Sequence, residues 1–342
     1  MEKLKKISNK SEIFVKKIFS GVILDLRKGD VMEKIIIGVD HGNGNIKTES
    51  TVFPCGFVKQ SVKPAKVFSK DIIRYRGNYF ILTDTKFPYK TDKTKDEDYF
   101  ILTLFAIAKE AEIKNLNLYG KDVILSVGLP PAHLEKSADR FRQYFERYAS
   151  EGINFEYNGK NFSFYLKKLY VNPQNYAAVV FYEQDTLKKY KTVYCIDIGD
   201  GTVDLITIKS GVPDKQTIVS REIGISVMRD KLINDVVNDF EYTLDNDIID
   251  QVLLGEETVL PDSVINRIKY ETKEWSENIV NQLHPKVPDF RINPTIFSGG
   301  GAKLLKPFFE KSELFGMTRY IEDICANAKG YSMIAKIQEK KS

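Results

Sequence analysis

This chain lacks the residue patterns that mark metal and redox sites. Its three cysteines, Cys55, Cys195 and Cys325, lie far apart, and neither a paired-cysteine element nor an H-E-x-x-H run is present. Cysteine this sparse suits a reducing, cytosolic compartment. No apolar run reaches the roughly eighteen residues of a membrane span. Charge of one sign is also scarce: 51 basic and 47 acidic side chains leave a net +4, too little for nucleic-acid binding without a concentrated patch. The absence of G-x-x-x-x-G-K-[ST] excludes a P-loop, and the absence of G-x-G-x-x-G weakens a Rossmann reading. His41, His133 and His284 form no constellation and are expected to be structural or surface residues.

What is present is 342 residues of globular composition, 42% hydrophobic and 29% charged, enough for two domains with their own cores. The chain is organised around Val193–Ile208. There an apolar run ends in Asp197, turns through Gly199-Asp200-Gly201, and leaves as alternating apolar and polar residues. Alone, this is an ordinary β-hairpin with an Asp-Gly turn. The arrangement occurs twice. Ile35-Ile-Ile-Gly-Val-Asp40-His-Gly42-Asn-Gly44-Asn-Ile-Lys47 is another apolar strand followed by Asp-x-Gly-x-Gly. Two copies imply two halves built alike, each offering a carboxylate and a glycine turn. Phosphate binding needs backbone N–H groups converging on oxygens, and glycine lets the chain come close enough. A third glycine run, Ser298-Gly299-Gly300-Gly301-Ala302, lies between a strand and a helix. It is either a flexible connector or a place where backbone approaches a ligand.

Along the chain, Phe14–Ile23 has the spacing of a short basic amphipathic helix. Lys28-Gly29-Asp30-Val31-Met32 can be encoded by a purine-rich stretch resembling a bacterial ribosome-binding sequence before a start codon. Translation is therefore expected to begin at Met32. Strands are expected at Ile35–Val39, with Ile46–Phe53 as its hairpin partner, and at Val62–Phe68, Ile72–Tyr75 and Tyr79–Leu82. Lys86–Asp98 reads as an exposed loop, Asp98–Ile113 as a helix and Asp122–Val127 as a strand. Pro130-Pro131 open a helix running to about Ser150. Ile153–Tyr157 and Phe162–Leu166 form a hairpin through Asn158-Gly159, and Leu169–Val171 is a further strand. Asn172-Pro173 is expected to begin a helix capped by Asn172. Lys215–Glu222 reads as a strand; Gly224–Phe240, Asn246–Leu254 and Asp262–Gln282 read as helices, the last capped by Asp262. Thr295–Phe297 is a strand, with helices at Lys303–Glu310 and Asn327–Ile337. Strands then helices, twice over, make an α/β protein.

Asp40-His-Gly-Asn-Gly-Asn-Ile-Lys47, Asp197-Ile-Gly-Asp-Gly-Thr-Val-Asp204 and Phe297-Ser-Gly-Gly-Gly-Ala302 resemble the phosphate-1, phosphate-2 and adenosine motifs of the actin, Hsp70 and sugar-kinase superfamily. They stand in that superfamily's order, and the resemblance covers Met32 to the C-terminus. The length and the Tyr170-Val-Asn-Pro-Gln-Asn-Tyr-Ala-Ala178 segment are most similar to bacterial actin-like plasmid-segregation ATPases of the ParM/StbA type. The resemblance implies an actin-like, ribonuclease-H-like duplicated two-domain α/β fold with a nucleotide cleft between the halves. Residues 1–31 would be an extension, 32–172 plus 325–342 domain I, and 173–324 domain II.

Carried over residue by residue, the resemblance implies that Gly42, Asn43, Gly44, Asn45 and Lys47 form the first phosphate loop, and Gly199, Asp200, Gly201 and Thr202 the second. Gly299, Gly300 and Gly301 would meet the adenosine of ATP, with GTP possible. Asp40 and Asp197 would hold Mg²⁺ largely through water, and hydrolysis would depend on Asp197. Gln174 would orient the attacking water. Asp204 is either the holder of a second water or an outward strand residue. Lys269 is either an adenine contact or part of a solvated helix face. Ala177 and Ala178 on one helix, with Ala326, Ala328 and Gly330 on another, would let two helices cross closely; the resemblance makes these the interdomain hinge, although small residues also serve ordinary packing. The implied activity is ATP hydrolysis coupled to a dynamic homopolymer filament that segregates plasmid DNA in the bacterial cytoplasm. A DNA-binding adaptor of ParR type would be the partner, with no direct nucleic-acid contact and no membrane. The alternative is a small-molecule, sugar-type kinase with Asp200 or Asp204 as base, although the substrate motifs of that group are missing. An Hsp70-like regulatory module is disfavoured, since no peptide-binding domain follows Ser342.

Overall fold

The computed structural model describes residues 34–64, 71–88, 90, 92–149 and 152–341. The expected helix at Phe14–Ile23 and the start at Met32 lie outside them. The chain divides into two units, each with its own sheet. The first comprises the described residues up to Leu129, His133–Phe181, and those from Cys325 onward.

In this unit, β1 (Ile35–His41), β2 (Asn45–Lys47), β3 (Val52–Pro54), β4 (Phe57–Gln60), β5 (Ile72–Tyr75), β6 (Asn78–Leu82), β7 (Lys121–Leu129), β8 (Ile153–Tyr157) and β9 (Lys160–Pro173) form one sheet. Its order is β3-β2-β1-β7-β9-β8-β5-β6-β4. The centre, β1-β7-β9, is parallel and correspondingly apolar. The β8–β9 hairpin turns at Asn158 and Gly159, both at positive φ (49° and 86°), as the Asn-Gly signal predicts. Helix α1 (Asp98–Ile113) is buried along most of its length, and α2 (Pro131–Glu146) adds Phe141, Tyr144 and Phe145 to the same core. The C-terminal helix, Ala326–Lys340, lies against β1 and β7, where glycine permits contact. A Cβ on Gly38 would stand 2.2 Å from the Ala328 carbonyl oxygen, and one on Gly330 would stand 2.2 Å from that of Ala177. Gly330 thus lets this helix meet α3 (Tyr176–Tyr182) backbone to backbone, the close approach expected of the small residues.

Several local expectations differ from the structure here, two of them through non-local contacts. Ile46–Phe53 is not one strand: it breaks at Thr48–Thr51, where Thr48 Oγ1 accepts from the Ser50 and Thr51 N–H groups at 3.3 and 3.1 Å. Glu110, 1% exposed, accepts from the Thr48 hydroxyl and from Ser50. In place of the expected strand Val62–Phe68, residues 62–64 are irregular and 65–68 fall outside the described residues; β4 lies just before them. Phe162–Leu166 and Leu169–Val171 belong to one strand, β9. Finally, β9 continues through Pro173, paired with Leu129. Asn172 is therefore no helix cap: its amide donates to Ser126 Oγ (2.9 Å) and the Val127 carbonyl (3.0 Å). Helix α3 begins only at Tyr176, after Asn175 at φ 60°.

The second unit is Pro130–Ala132 and Tyr182–Ile324. Strands β10 (Thr192–Ile198), β11 (Val203–Lys209), β12 (Val212–Arg221), β13 (Pro294–Ser298) and β14 (Met317–Tyr320) order as β12-β11-β10-β13-β14. The β10–β11 pair is an antiparallel hairpin, and β13 and β14 run parallel to β10. Around them stand α4 (Gln184–Lys189), α5 (Ile225–Phe240), α6 (Asn246–Leu254), α7 (Asp262–Leu283) and α8 (Gly300–Glu310). Helix α6 starts with Asp245 accepting from the Ile248 N–H at 2.8 Å and stops at Gly255, φ 75°. Asp262 does not cap α7. Pro261 holds the cap position and Asp262 sits in the first turn, where its charge suits the helix dipole. Helix α8 begins inside the glycine run, three residues earlier than the periodicity suggested. Among the described residues no helix is long and apolar enough to cross a membrane.

Candidate functional site

In the first unit, β1 delivers Asp40 to the start of the Gly42–Gly44 turn, and β2 returns with Asn45 and Lys47. Antiparallel register sets Asp40 opposite Lys47, and the Lys47 ammonium lies 3.6 Å from Asp40 Oδ2. Asp40 is only 3% exposed, so that positive neighbour and a hydrogen bond offset the cost of its burial. The hydrogen bond comes from Gln174, whose Nε2 donates to Asp40 Oδ1 at 2.9 Å. Asp40 and Lys47, neighbours in one hairpin, thus form a cluster with Gln174, distant in sequence. Gly42 is required by contact: a Cβ there would fall 2.5 Å from the Asn45 carbonyl oxygen.

Residues that the sequence did not single out hold this turn from behind. Lys93 donates to the carbonyl of His41, and the Tyr99 hydroxyl donates to Asn43 Oδ1 at 3.3 Å. Lys93 sits in the charged segment expected to be an exposed loop. That segment is irregular but tethered: the Phe87 N–H reaches the Cys55 carbonyl (2.8 Å), and Arg147 donates to the Thr94 carbonyl (3.1 Å). His41 is structural, as expected. It is wholly buried among Tyr99, Phe141 and Phe145, with Nε2 2.7 Å from Thr103 Oγ1. Burial, reinforced by the Lys93 charge, lowers its pKa from 6.5 to about 3.

In the second unit, Asp197 is the last but one residue of β10 and the Gly199–Thr202 turn follows, pinned by the Gly199 N–H on the Thr202 carbonyl at 2.8 Å. Asp204, mostly buried, lies opposite Asp197 in the hairpin and accepts from the Thr202 hydroxyl at 2.9 Å. It therefore braces the turn. The parallel partner of Asp197 is Ser298, which brings the third glycine run alongside. The three glycines occupy different environments. Gly299 has φ 89°, and a Cβ on it would lie 2.3 Å from Asp197 Oδ1. Gly301 is buried against Ile225 and Ile198, and only Gly300 faces open space. Lys269 is exposed on α7, and no hydrogen bond or ion pair joins it to these turns among the described residues. Gly224 and Ser226, at the start of α5, were also not foreseen, and both touch the turn's backbone. The only local hint was a glycine ahead of an amphipathic helix.

Among the described residues no group of three or more His, Cys, Asp or Glu side chains could hold a metal ion directly. A lone carboxylate such as Asp40 or Asp197 is compatible with a hydrated Mg²⁺, which keeps several waters and takes one or two carboxylates plus phosphate oxygens.

No protein-family model matches the chain, and no curated protein does. Solved structures do match. Ta0583, an archaeal actin homolog, is similar with a TM-score of 0.71 at 18% identity, over 89% of this chain and 99% of that one. The same homolog in complex with ADP gives 0.69 at 17%, over 88% and 99%. A 15-stranded ParM filament from Clostridium botulinum gives 0.69 at 17% identity, over 89% and 99%. The apo psk41 parM protein gives 0.68 at 13%, over 90% and 98%. The chain has the actin-like α/β fold that its three motifs implied.

Proposed function

We propose that this chain is an actin-like ATPase that polymerises on binding ATP–Mg²⁺ and disassembles after hydrolysis. The observation that carries this reading is the repeated corner, a strand ending in a carboxylate beside a glycine turn, once in each unit. Support from the neighbours is an archaeal actin homolog in complex with ADP and filament structures of ParM and of Alp12, the latter with a TM-score of 0.64 at 13% identity.

Lys47 and the N–H groups of both turns bind phosphate oxygens. Asp40 and Asp197 would hold a hydrated Mg²⁺ through its waters, and the ion would supply charge that offsets that of the phosphates. Gln174, anchored by its amide nitrogen on Asp40, keeps its carbonyl oxygen as acceptor for the attacking water. Glutamine is no strong base, so positioning and preorganised charge supply most of the rate. Gly300 gives the backbone its approach to the adenosine. Hydrolysis then times filament lifetime, and a DNA-binding adaptor of ParR type links filament ends to plasmid DNA in the bacterial cytoplasm.

Right-angle light scattering with phosphate release, after adding ATP and Mg²⁺, tests the reading. A rise followed by decay is expected. No rise at any protein concentration, with phosphate passed to a sugar, refutes it in favour of a small-molecule kinase.

A further inference from the structure

The second glycine turn is held by a helix through backbone alone, except at one side chain. Three consecutive carbonyls of the turn accept hydrogen bonds from the start of α5. Gly199 O accepts from Ile225 N (3.1 Å), Asp200 O from Ser226 N (2.8 Å), and Gly201 O from Gly224 N (3.2 Å). At a helix start such N–H groups have no intrahelical partner, and here the turn supplies one for each. The Ser226 hydroxyl adds a second donor to Asp200 O at 2.7 Å. A Cβ on Gly224 would lie 2.4 Å from Asp200 O and 2.6 Å from Thr202 N, so helix and turn are in direct contact.

The consequence follows from peptide geometry. No described peptide is cis, so the N–H of each peptide unit points opposite to its carbonyl. With the carbonyls of Gly199, Asp200 and Gly201 turned toward α5, the N–H groups of Asp200, Gly201 and Thr202 face away from it. Successive N–H groups on one side of a turn make an anion-binding concavity. Because their carbonyls rest on the positive end of a helix, these peptides are polarised and their N–H groups are stronger donors.

We infer that Ser226 is a positioning residue for nucleotide phosphate: its hydroxyl, doubling the bond to Asp200 O, fixes the Asp200–Gly201 peptide so that the Gly201 N–H faces the phosphate oxygens. This rests on the nucleotide reading above and assigns a further residue to that site. Ser226 acts through the turn, by way of Asp200 O.

The test compares wild type, Ser226→Ala and Ser226→Thr by displacement of a fluorescent ATP analogue, with Mg²⁺, by ATP, ADP and adenosine. One hydrogen bond of ordinary worth corresponds to about a five- to tenfold change in affinity. Ser226→Ala is expected to bind ATP and ADP weaker by about that factor, to leave adenosine unchanged, and to be restored by Ser226→Thr. Should Ser226→Ala not fold, Ser226→Cys, similar in volume with a poorer donor, makes the same comparison. Equal weakening toward adenosine, or unchanged ATP affinity, overturns the positioning role and leaves the nucleotide reading standing. A wild type that binds no nucleotide overturns both.

Discussion

Gly299, Gly300 and Gly301 are one run in sequence and three separate experiments in structure. Gly299 has φ 89° and ψ 163°, a region essentially reserved for glycine, so alanine there costs about 1–3 kcal/mol in backbone strain. Its new Cβ would also lie 2.3 Å from Asp197 Oδ1 and 2.4 Å from the Ile198 carbonyl oxygen, and overpacking of that kind adds about 1–3 kcal/mol. The sum for Gly299→Ala is about 2–6 kcal/mol, with Asp197 displaced. Gly301→Ala keeps an allowed backbone but meets Ile225 Cγ1 at 2.3 Å and Ile198 Cγ2 at 2.5 Å. These atoms belong to buried, β-branched isoleucines, so overpacking of about 1–3 kcal/mol is expected. Gly300 meets nothing within 4 Å and opens a helix; alanine there is neutral or stabilising by up to about 1 kcal/mol. Urea unfolding without nucleotide, followed by fluorescence, measures all three. The single tryptophan, Trp275, lies on α7 in the same unit and reports its loss of structure. Nucleotide affinity separates the roles: Gly300→Ala should weaken ATP binding with stability intact. Equal midpoints for the three variants, or Gly300→Ala as the least stable, would refute the reasoning.

Gln174→Ala is expected to slow ATP hydrolysis about 10- to 100-fold while ATP affinity stays within about threefold; loss of nucleotide binding would contradict a water-positioning role. His41 is neutral in the fold, with a pKa near 3 against 6.5 unfolded. Above pH 6.5 neither state is charged. As the pH falls below that value the unfolded chain takes up a proton the native chain refuses, so stability drops by up to roughly 1.4 kcal/mol per pH unit until about pH 3. His41→Gln should flatten the dependence of the urea midpoint on pH between 6 and 4; an unaltered slope would assign the acid sensitivity elsewhere. Glu110→Ala leaves the Thr48 hydroxyl without its buried acceptor and the Ser50 N–H with Thr48 Oγ1 alone, at about 1–3 kcal/mol. Wild-type stability in that variant would mean the β2–β3 turn holds itself.

The parts legible in the sequence are those whose signals are local. The apolar strands running into Asp40 and Asp197 each combine a buried run with glycine punctuation, and helix Asp98–Ile113 is apolar over most of its surface; their bounds follow from neighbours in sequence. The actin-like fold was legible through the order of three short motifs. What was not legible depends on distant contacts. Pro173 suits a first helical turn, but pairing of β9 with β7 through Leu129 and Pro173 outweighs that preference. As a result Gln174 lies between strand and helix, in reach of Asp40. Thr48–Thr51 reads as strand until Glu110 supplies an acceptor from α1.

The two corners also differ in a way no motif comparison would reveal. Their sequences are alike, Asp-x-Gly-x-Gly, yet the first is braced by side chains: Lys93 on the His41 carbonyl, Tyr99 on Asn43, Lys47 and Gln174 on Asp40. The second is braced by backbone, three N–H groups of one helix start, with Ser226 as the added hydroxyl and Thr202–Asp204 as an internal strut. A side-chain brace is lost by truncating one residue, whereas the three backbone hydrogen bonds of the second turn outlast loss of the Ser226 hydroxyl and yield only to a group that wedges helix and turn apart. Sensitivity to alanine substitution should therefore spread over several residues around the first turn. Between helix α5 and the second turn, the loss of stability on alanine substitution should be larger at Gly224, whose ordinary φ of −69° would accept alanine and whose surroundings would not, than at Ser226, where only one added hydroxyl is lost.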